Sequence, residues 1–279
     1  MKMRTALVTG ASSGLGRELV RQLVRDRGMT VVATARRLDR LEALAGELPP
    51  GKVIVVAGDL AEASFRAALW QRAEALPGGL DLLVNNAGLG EFAKFELQEA
   101  ASIRRIIEVN LVALIDLSQQ AIVHMRPRRM GQVVQVSSIL GFMGMPYSAV
   151  YVATKHAVNG LVKSLRYELR GSGVRVWAAC PGRTESEFFA SAIGPAGPIG
   201  PVPGGAPTEK VAHAIVRGLD RNAAFLMPGF IPKATVAAAH WLAAPFDWMM
   251  DWRSARYFAD EIARARGGDS RQNVTPSPP

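Results

Sequence analysis

A tyrosine and a lysine four residues apart are the first pair in this sequence that could carry out chemistry. Tyr151 and Lys155 lie in the stretch YSAVYVATKHAVNGL, whose apolar spacing predicts a helix. Residues four apart share one helix face, so we expect the lysine to favour the phenolate and to lower the pKa of Tyr151 from about 10. Such a pair could transfer a proton near neutral pH. An ordinary amphipathic helix is the other interpretation of this stretch.

A glycine-rich turn follows the first apolar run of the chain. In TALVTGASSGLGRELV, Gly10, Gly14 and Gly16 stand between a strand pattern and a helix pattern. Small residues at such a turn let the backbone approach a pyrophosphate, which the helix N-terminus attracts through free amide groups and its dipole. The spacing differs from the general Gly-x-Gly-x-x-Gly fingerprint, but its position predicts a dinucleotide-binding site.

The end of the second apolar run indicates which dinucleotide binds there. An acidic residue at this place holds a ribose 2′-hydroxyl, whereas an arginine accommodates a 2′-phosphate. Here Ala35 takes the place of the acid, and Arg36 and Arg37 follow it. A guanidinium offers a planar fork of donors that matches a phosphate. We therefore expect NADP rather than NAD, with Arg36 as the main contact, because Arg37 also suits a solvated start to the next helix.

The elements that must position these residues alternate between strands and helices. Short runs rich in Val, Ile and Leu are separated by longer segments of helical period, as expected for a parallel sheet covered on both faces. The predicted strands are TALVTG, TVVATA, KVIVVAG, LDLLVNN, GQVVQVSS, VRVWAACPG and AAFLMP. We predict a single α/β domain with a doubly wound, Rossmann-like parallel sheet of seven strands in the order 3-2-1-4-5-6-7. The site should lie at the carboxyl ends of these strands.

Further motifs occur in an order and at a spacing typical of one family. They are TGASSGLG, GDL around Asp59, NNAG at 85–88, SS at 137–138, YVATK, and the PG of Pro181 and Gly182. With these motifs the chain resembles a short-chain dehydrogenase/reductase over roughly residues 4–230. The resemblance implies four catalytic positions: Asn110, Ser138, Tyr151 and Lys155.

The resemblance also implies a role for each catalytic position. A hydride leaves the nicotinamide for a carbonyl carbon, and negative charge builds on the carbonyl oxygen. Tyr151 would donate a proton to that oxygen, and Ser138 would stabilise it by a second hydrogen bond. Lys155 would bind the nicotinamide ribose as well, and Asn110 would anchor a proton-relay water. The adjacent Ser137 is expected to support the strand end.

A larger set of residues is implied to hold the cofactor. Asp59 resembles the residue that contacts the adenine ring. The family has an aliphatic residue where Thr184 stands and a threonine where Ser186 stands, both near the nicotinamide carboxamide; Ser186 keeps the hydroxyl. The implied cofactor-binding residues are Gly10, Ser12, Ser13, Gly14, Leu15, Gly16, Arg36, Arg37, Asp59, Leu60, Asn86, Ala87, Gly88, Tyr151, Lys155, Pro181, Gly182, Thr184 and Ser186.

The expected function is NADP(H)-dependent hydride transfer between nicotinamide and a ketone, an aldehyde or a secondary alcohol. Two alternatives are a catalytically idle NADP-binding scaffold or redox sensor, and a sugar-nucleotide epimerase. The complete set of catalytic positions argues against the first, and the short chain after Gly182 argues against the second. No motif supports nucleic-acid binding, so the expected partner is a small-molecule substrate. The sequence does not distinguish between a homodimer and a homotetramer.

Composition indicates a folded globular protein in a reducing compartment, and we expect a cytoplasmic location. Hydrophobic residues make up 49% of the chain and charged residues 20%. Cys180 is the one cysteine, so no intramolecular disulfide forms, and the four histidines lack the spacing of metal ligands. The net charge of +9 is spread over expected helix faces. Neither a signal peptide nor a membrane-spanning helix is expected.

The last part of the chain is longer and more aromatic than a minimal family member needs. We predict one NADP-binding domain over 1–266, which includes an apolar helical extension over 225–266, and a disordered tail over 267–279. The extension contains three of the five tryptophans: Trp241, Trp248 and Trp252. It could pack on the sheet or a second subunit, or it could cover the substrate mouth and rest on a membrane surface, which implies an apolar substrate. The Pro/Gly-rich loop at 194–208 is expected to be a mobile flap.

Overall fold

A computed structural model describes residues 3–188, 205–252 and 254 of the chain. The chain divides into two compact units, Met1–Val236 and Ala237–Pro279. Most of the expected flap at 194–208 and all of the expected tail at 267–279 lie outside the described residues, so both stay predictions.

The first unit is built on a parallel sheet of seven strands. The chain forms β1 (Thr5–Thr9), β2 (Thr30–Ala35), β3 (Val53–Ala57), β4 (Leu82–Asn85), β5 (Gly131–Val136), β6 (Val174–Ala179), β7 (Thr184–Glu185), β8 (Ala206–Pro207) and β9 (Phe225–Leu226). The main sheet has the order β3-β2-β1-β4-β5-β6-β9, and β7 pairs with β8 alone. Counting only strands of the main sheet, this is the predicted order 3-2-1-4-5-6-7.

Helices connect the strands and cover both faces of the sheet. They are α1 (Gly14–Arg25), α2 (Leu38–Gly46), α3 (Ala63–Glu74), α4 (Ala100–Ile107), α5 (Ala113–Met125), α6 (Ala149–Glu168), α7 (Thr208–Gly218) and α8 (Phe230–Trp241). The sequence predicted one continuous helix where α4 and α5 lie. The structure inserts a π-helical turn, Glu108–Val112, between them. The sequence analysis did not predict α7, which packs against α1.

The alternation of side chains along the strands builds two apolar layers. In β1, Ala6 and Val8 pack into a cluster with residues of α1, α2 and α7. Leu7 points to the opposite face and packs with residues of α3, α5 and α6. Because both faces are covered, the strands carry apolar residues on both faces instead of a strict alternation with polar residues. The sheet is therefore a rigid platform for the loops at its carboxyl edge.

One helical run passes a length and hydropathy test for a membrane span. It is Ala100–Met125, and 44% of its most apolar window is buried in the structure. The sequence analysis expected no such segment, because charged residues interrupt the run. Its burial against the sheet and α6 explains the apolar composition, since a core helix needs the same residues.

Candidate active site

The loops at the carboxyl ends of the strands line one cleft of about 550 Å³. Every residue that the resemblance implied for cofactor binding borders this cleft, from the glycine turn after β1 to Ser186 after β7. Ser138, Tyr151 and Lys155 border it as well. Asn110 is wholly buried and does not reach its wall. The structure thus brings three of the four implied catalytic side chains into the cofactor cleft.

The glycine turn after β1 leaves room that side chains would fill. Gly10 has a φ of +68°, and a Cβ atom there would lie 2.9 Å from the Cα atom of Ala87. A Cβ atom on Gly16 would overlap the carbonyl of Gly10. The following helix α1 has no side-chain cap at its N-terminus. A turn without side chains before an uncapped helix fits the pyrophosphate of a dinucleotide.

Arg37, rather than Arg36, is held inside the cleft. Its guanidinium donates to the Ser12 hydroxyl from Nε at 3.2 Å and to the Ser13 hydroxyl from Nη2 at 2.7 Å. It also forms an ion pair with Glu187 at 3.2 Å. Arg36 borders the cleft but is exposed. Arg37 precedes the first residue of α2 and 40% of its side chain is exposed, so it is a solvated helix start that also bonds the serines of the glycine turn.

Asp59 lies at the same edge of the cleft and has a partner that the sequence did not suggest. Its carboxylate accepts the Ala61 N–H at 3.0 Å and pairs with the Arg105 guanidinium. Burial alone would raise the pKa of Asp59, but these hydrogen bonds hold it below its ordinary value. Arg105 comes from α4, a distant helix in the chain, and no local motif marks it.

The implied acid and its neighbours form a compact group. The Ser138 hydroxyl lies near the Tyr151 hydroxyl and acts to lower the pKa of the phenol. The Ser138 hydroxyl also accepts the Leu140 N–H at 3.1 Å, which fixes its position at the end of β5. Lys155 donates from Nζ to the Val136 carbonyl at 2.8 Å, and Nζ lies 5.5 Å from the centre of the Tyr151 ring.

Burial shifts the pKa values of Tyr151 and Lys155 away from each other. It raises the pKa of Tyr151 to about 12, with the Ser138 hydrogen bond acting in the opposite direction. It lowers the pKa of Lys155 to about 8. The expectation that Lys155 brings the pKa of Tyr151 below 10 was wrong: loss of water around the phenol outweighs other influences. Tyr151 is therefore protonated at neutral pH.

Asn110 lies in the π-helical turn and contacts the loop after β4. Its Oδ1 accepts the Leu89 N–H at 2.7 Å, and its Nδ2 donates to the Leu89 carbonyl at 2.9 Å. A Cβ atom on Gly88 would lie 3.6 Å from Asn110 Oδ1 and 3.9 Å from Lys155 Nζ. Asn110 Oδ1 and Lys155 Nζ thus lie on the same side of Gly88, and the Asn110 side chain fixes the backbone of this loop.

The part of the cleft around Tyr151 has a largely apolar wall that the sequence analysis missed. Phe188 lies closest to the acid, with 5.4 Å between its ring centre and that of Tyr151. Other apolar side chains that border the cleft are Leu89, Phe92, Ile139, Leu140, Met143 and Met145. Together with Phe188 they come from loops after three different strands, so no sequence period could have grouped them.

Comparison with known proteins identifies the family. A family model for short chain dehydrogenase matches residues 4–193. An uncharacterized oxidoreductase of Myxococcus xanthus is 40% identical over 193 residues, which are 68% of this chain and 76% of the relative. A farnesol dehydrogenase of Aedes aegypti is 34% identical over 199 residues, 68% of this chain and 81% of the relative. A short-chain dehydrogenase from Sphingobium yanoikuyae, solved with NADPH, superposes with a TM-score of 0.76 at 28% identity, covering 98% of this chain and 99% of that one.

The chain belongs to the short-chain dehydrogenase/reductase family. It has the family's Rossmann-like fold and is an oxidoreductase that binds a nicotinamide cofactor. The fit of the glycine turn to a pyrophosphate agrees with this assignment.

Proposed function

We propose that the protein is an NADP(H)-dependent oxidoreductase that interconverts an apolar ketone or aldehyde and its alcohol. The observation that carries the proposal is that Tyr151, Ser138 and Lys155 border the same cleft in which Arg37 is hydrogen-bonded to Ser12 and Ser13. Proton donors for a substrate oxygen and a cation for a 2′-phosphate therefore border one cavity.

Each polar side chain of this group has a step in the proposed reaction. NADPH, when bound, supplies the hydride for the carbonyl carbon. Tyr151 donates its proton to the carbonyl oxygen as negative charge develops there, and the Ser138 hydroxyl stabilises the same oxygen. Lys155 uses one N–H on the Val136 carbonyl and keeps the others for ribose hydroxyls. Asn110 orients the loop after β4 through its two hydrogen bonds to the Leu89 backbone.

The wall around Tyr151 supports an apolar substrate. Phe92, Met143 and Phe188 offer surface for alkyl or aromatic groups, and burial of such groups is favourable in proportion to their area. The Aedes aegypti relative carries the name of a dehydrogenase of farnesol. A catalytically idle NADP-binding scaffold is the alternative. It would bind NADPH but turn over no carbonyl.

A cofactor-consumption screen tests the proposal. Aldehydes and ketones of graded chain length are compared with polar carbonyls of matched size, using NADPH and NADH in parallel. We expect kcat/KM to rise with apolar length and to be higher with NADPH. The Tyr151→Phe variant controls for background oxidation of the cofactor. Tight NADPH binding without turnover of any carbonyl would establish the idle scaffold instead.

A further inference from the structure

Glu187 carries a carboxylate that holds two arginines at the adenosine side of the cleft. It accepts from Arg40 Nη1 at 2.8 Å and 2.7 Å through its two oxygens, and it pairs with Arg37 at 3.2 Å. All three side chains are partly exposed, between 39% and 48%. Burial would raise the pKa of Glu187, but hydrogen bonds from the two arginines hold it below its ordinary value. The carboxylate is therefore an anion at neutral pH.

The segment that carries Glu187 also lies directly on the glycine turn. A Cβ atom on Gly14 would lie 3.1 Å from the Cβ atom of Ser186 and 3.9 Å from the Glu187 nitrogen. On the other side of Arg37, Nε and Nη2 donate to Ser12 and Ser13. One guanidinium is thus shared between the turn that would hold the phosphates and the Glu187 carboxylate.

We infer that Glu187 sets the choice of cofactor by competing with the 2′-phosphate of NADP(H) for Arg37 and Arg40. The inference rests on the proposed function for the identity of the cofactor. A phosphate and a carboxylate both bind the planar donor fork of arginine, so each anion that binds the guanidinium reduces what is left for the other. Two anions on one arginine also repel each other.

The competition acts on one of the two nicotinamide cofactors. NADH has a 2′-hydroxyl in place of the phosphate, so it leaves the ion pairs of Glu187 with Arg37 and Arg40 intact. NADPH must share or displace the carboxylate. Glu187 therefore lowers the preference for NADPH that the arginines alone would give. The wild-type protein should use NADH more readily than a protein in which Arg37 and Arg40 were free to bind the 2′-phosphate.

The test compares Glu187→Gln with the wild-type protein in direct binding measurements by calorimetry. Exposed ion pairs contribute little to stability, so the variant should fold. We expect its NADPH dissociation constant to fall by roughly three- to fivefold, the scale of one exposed charge pair, and its NADH constant to stay within about a factor of two. Adenosine 2′,5′-bisphosphate and 5′-AMP, which differ only in the 2′-phosphate, should show the same contrast.

Glu185→Gln is the matched control. Glu185 carries the same charge two residues earlier, is exposed, and forms no ion pair with any residue in the described ranges. Its substitution should change neither constant. Weaker NADPH binding in Glu187→Gln would mean that Glu187 orients Arg37, and an equal gain for both cofactors would mean a general charge effect. Either result, or no change, overturns the inference. The wild-type cofactor preference separately tests the proposed function.

Discussion

At the scale of single residues, the proton chemistry depends on how water is excluded around Tyr151 and Lys155. Loss of hydration favours the neutral form of each group. It raises the pKa of Tyr151 to about 12 and lowers the pKa of Lys155 to about 8, so Lys155 loses its proton at a lower pH than Tyr151 does. A phenol that stays protonated suits the donation of a proton to a carbonyl oxygen.

The pH dependence of reduction follows from these shifts. Below about 8 both groups are protonated, and above it Lys155 loses its charge while Tyr151 keeps its proton. We expect kcat/KM for reduction to be level between about pH 6 and pH 8 and to decline above that range. A steady-state pH profile with an apolar aldehyde measures this. A profile that stays level to pH 10 would show that the charge on Lys155 is not needed.

Single residues also determine the preference between NADPH and NADH. We expect Arg37→Ala and Arg36→Ala each to weaken NADPH binding much more than NADH binding. Loss of a charge-assisted contact to phosphate costs on the order of 1.5–3 kcal/mol, about ten- to a hundredfold in affinity. Arg25→Ala, at the far end of α1, is the control and should change neither affinity. Equal losses for both cofactors in the two cleft variants would remove the assignment of a 2′-phosphate site.

At the scale of elements, the site is assembled where a loop or helix departs from regular geometry. The π-helical turn brings Asn110 to the loop after β4, and Ala93, further along the same loop, donates its N–H to the Tyr147 carbonyl at the start of α6. Between these contacts lies Glu91, which is 1% exposed. Neither of its carboxylate oxygens has a hydrogen-bond partner among the described residues.

Glu91 should make the stability of the protein depend on pH. Burial, followed by repulsion from Glu99, raises its pKa, so the folded state holds the proton more tightly than the unfolded state. Its contribution is present below the ordinary glutamate pKa and is lost as the pH rises through the raised value. We expect Glu91→Gln to stabilise the protein by about 1 kcal/mol at pH 8 and by less at pH 4.

Denaturant unfolding at both pH values measures this difference. The exposed Glu96 of the same loop provides the control, since Glu96→Gln should leave the stability of the protein nearly unchanged. If Glu91→Gln is less stable than the wild-type protein at pH 8, the carboxylate has a favourable partner and the account of this loop is wrong.

What the sequence could predict at this scale has a physical limit. The strands and the glycine turn were predictable because local rules govern them: continuous apolar runs for buried parallel strands, and glycine where a Cβ atom would collide. Arg105 and Glu187 were not predictable. Each meets its partner, Asp59 or Arg37, across many residues of chain, and only the folded sheet brings them together. The bonds of Arg37 to Ser12 and Ser13 depend on the fold in the same way.

At the scale of the whole molecule, several large apolar side chains after β9 are exposed. Phe230 and Ile231 at the start of α8 are 81% and 76% exposed, and Trp241 and Trp248 are 79% and 62% exposed. Residues 243–252 are helical. The predicted single domain over 1–266, a cytoplasmic location, and a homodimer or homotetramer stay predictions. We propose that these aromatic side chains contact a membrane surface, where an apolar substrate would be dissolved.

Liposome co-sedimentation tests this proposal. We expect the wild-type protein to pellet with vesicles and the double variant Trp241→Ala/Trp248→Ala to pellet several-fold less, because each tryptophan loses buried apolar area at the interface. Tyr167→Ala, an exposed aromatic residue of α6, is the control and should pellet like the wild-type protein. Wild-type protein that stays in the supernatant would assign the exposed aromatics to a protein contact.

The central claim is that Tyr151 protonates the substrate oxygen while hydride is transferred, and Tyr151→Phe tests it most directly. The substitution keeps the ring that packs against Phe188 and removes only the hydroxyl group that would donate the proton. Single-turnover oxidation of bound NADPH by an apolar ketone should slow by roughly a hundredfold or more, with the NADPH dissociation constant nearly unchanged. A phenylalanine variant that keeps most of the wild-type rate would contradict the account.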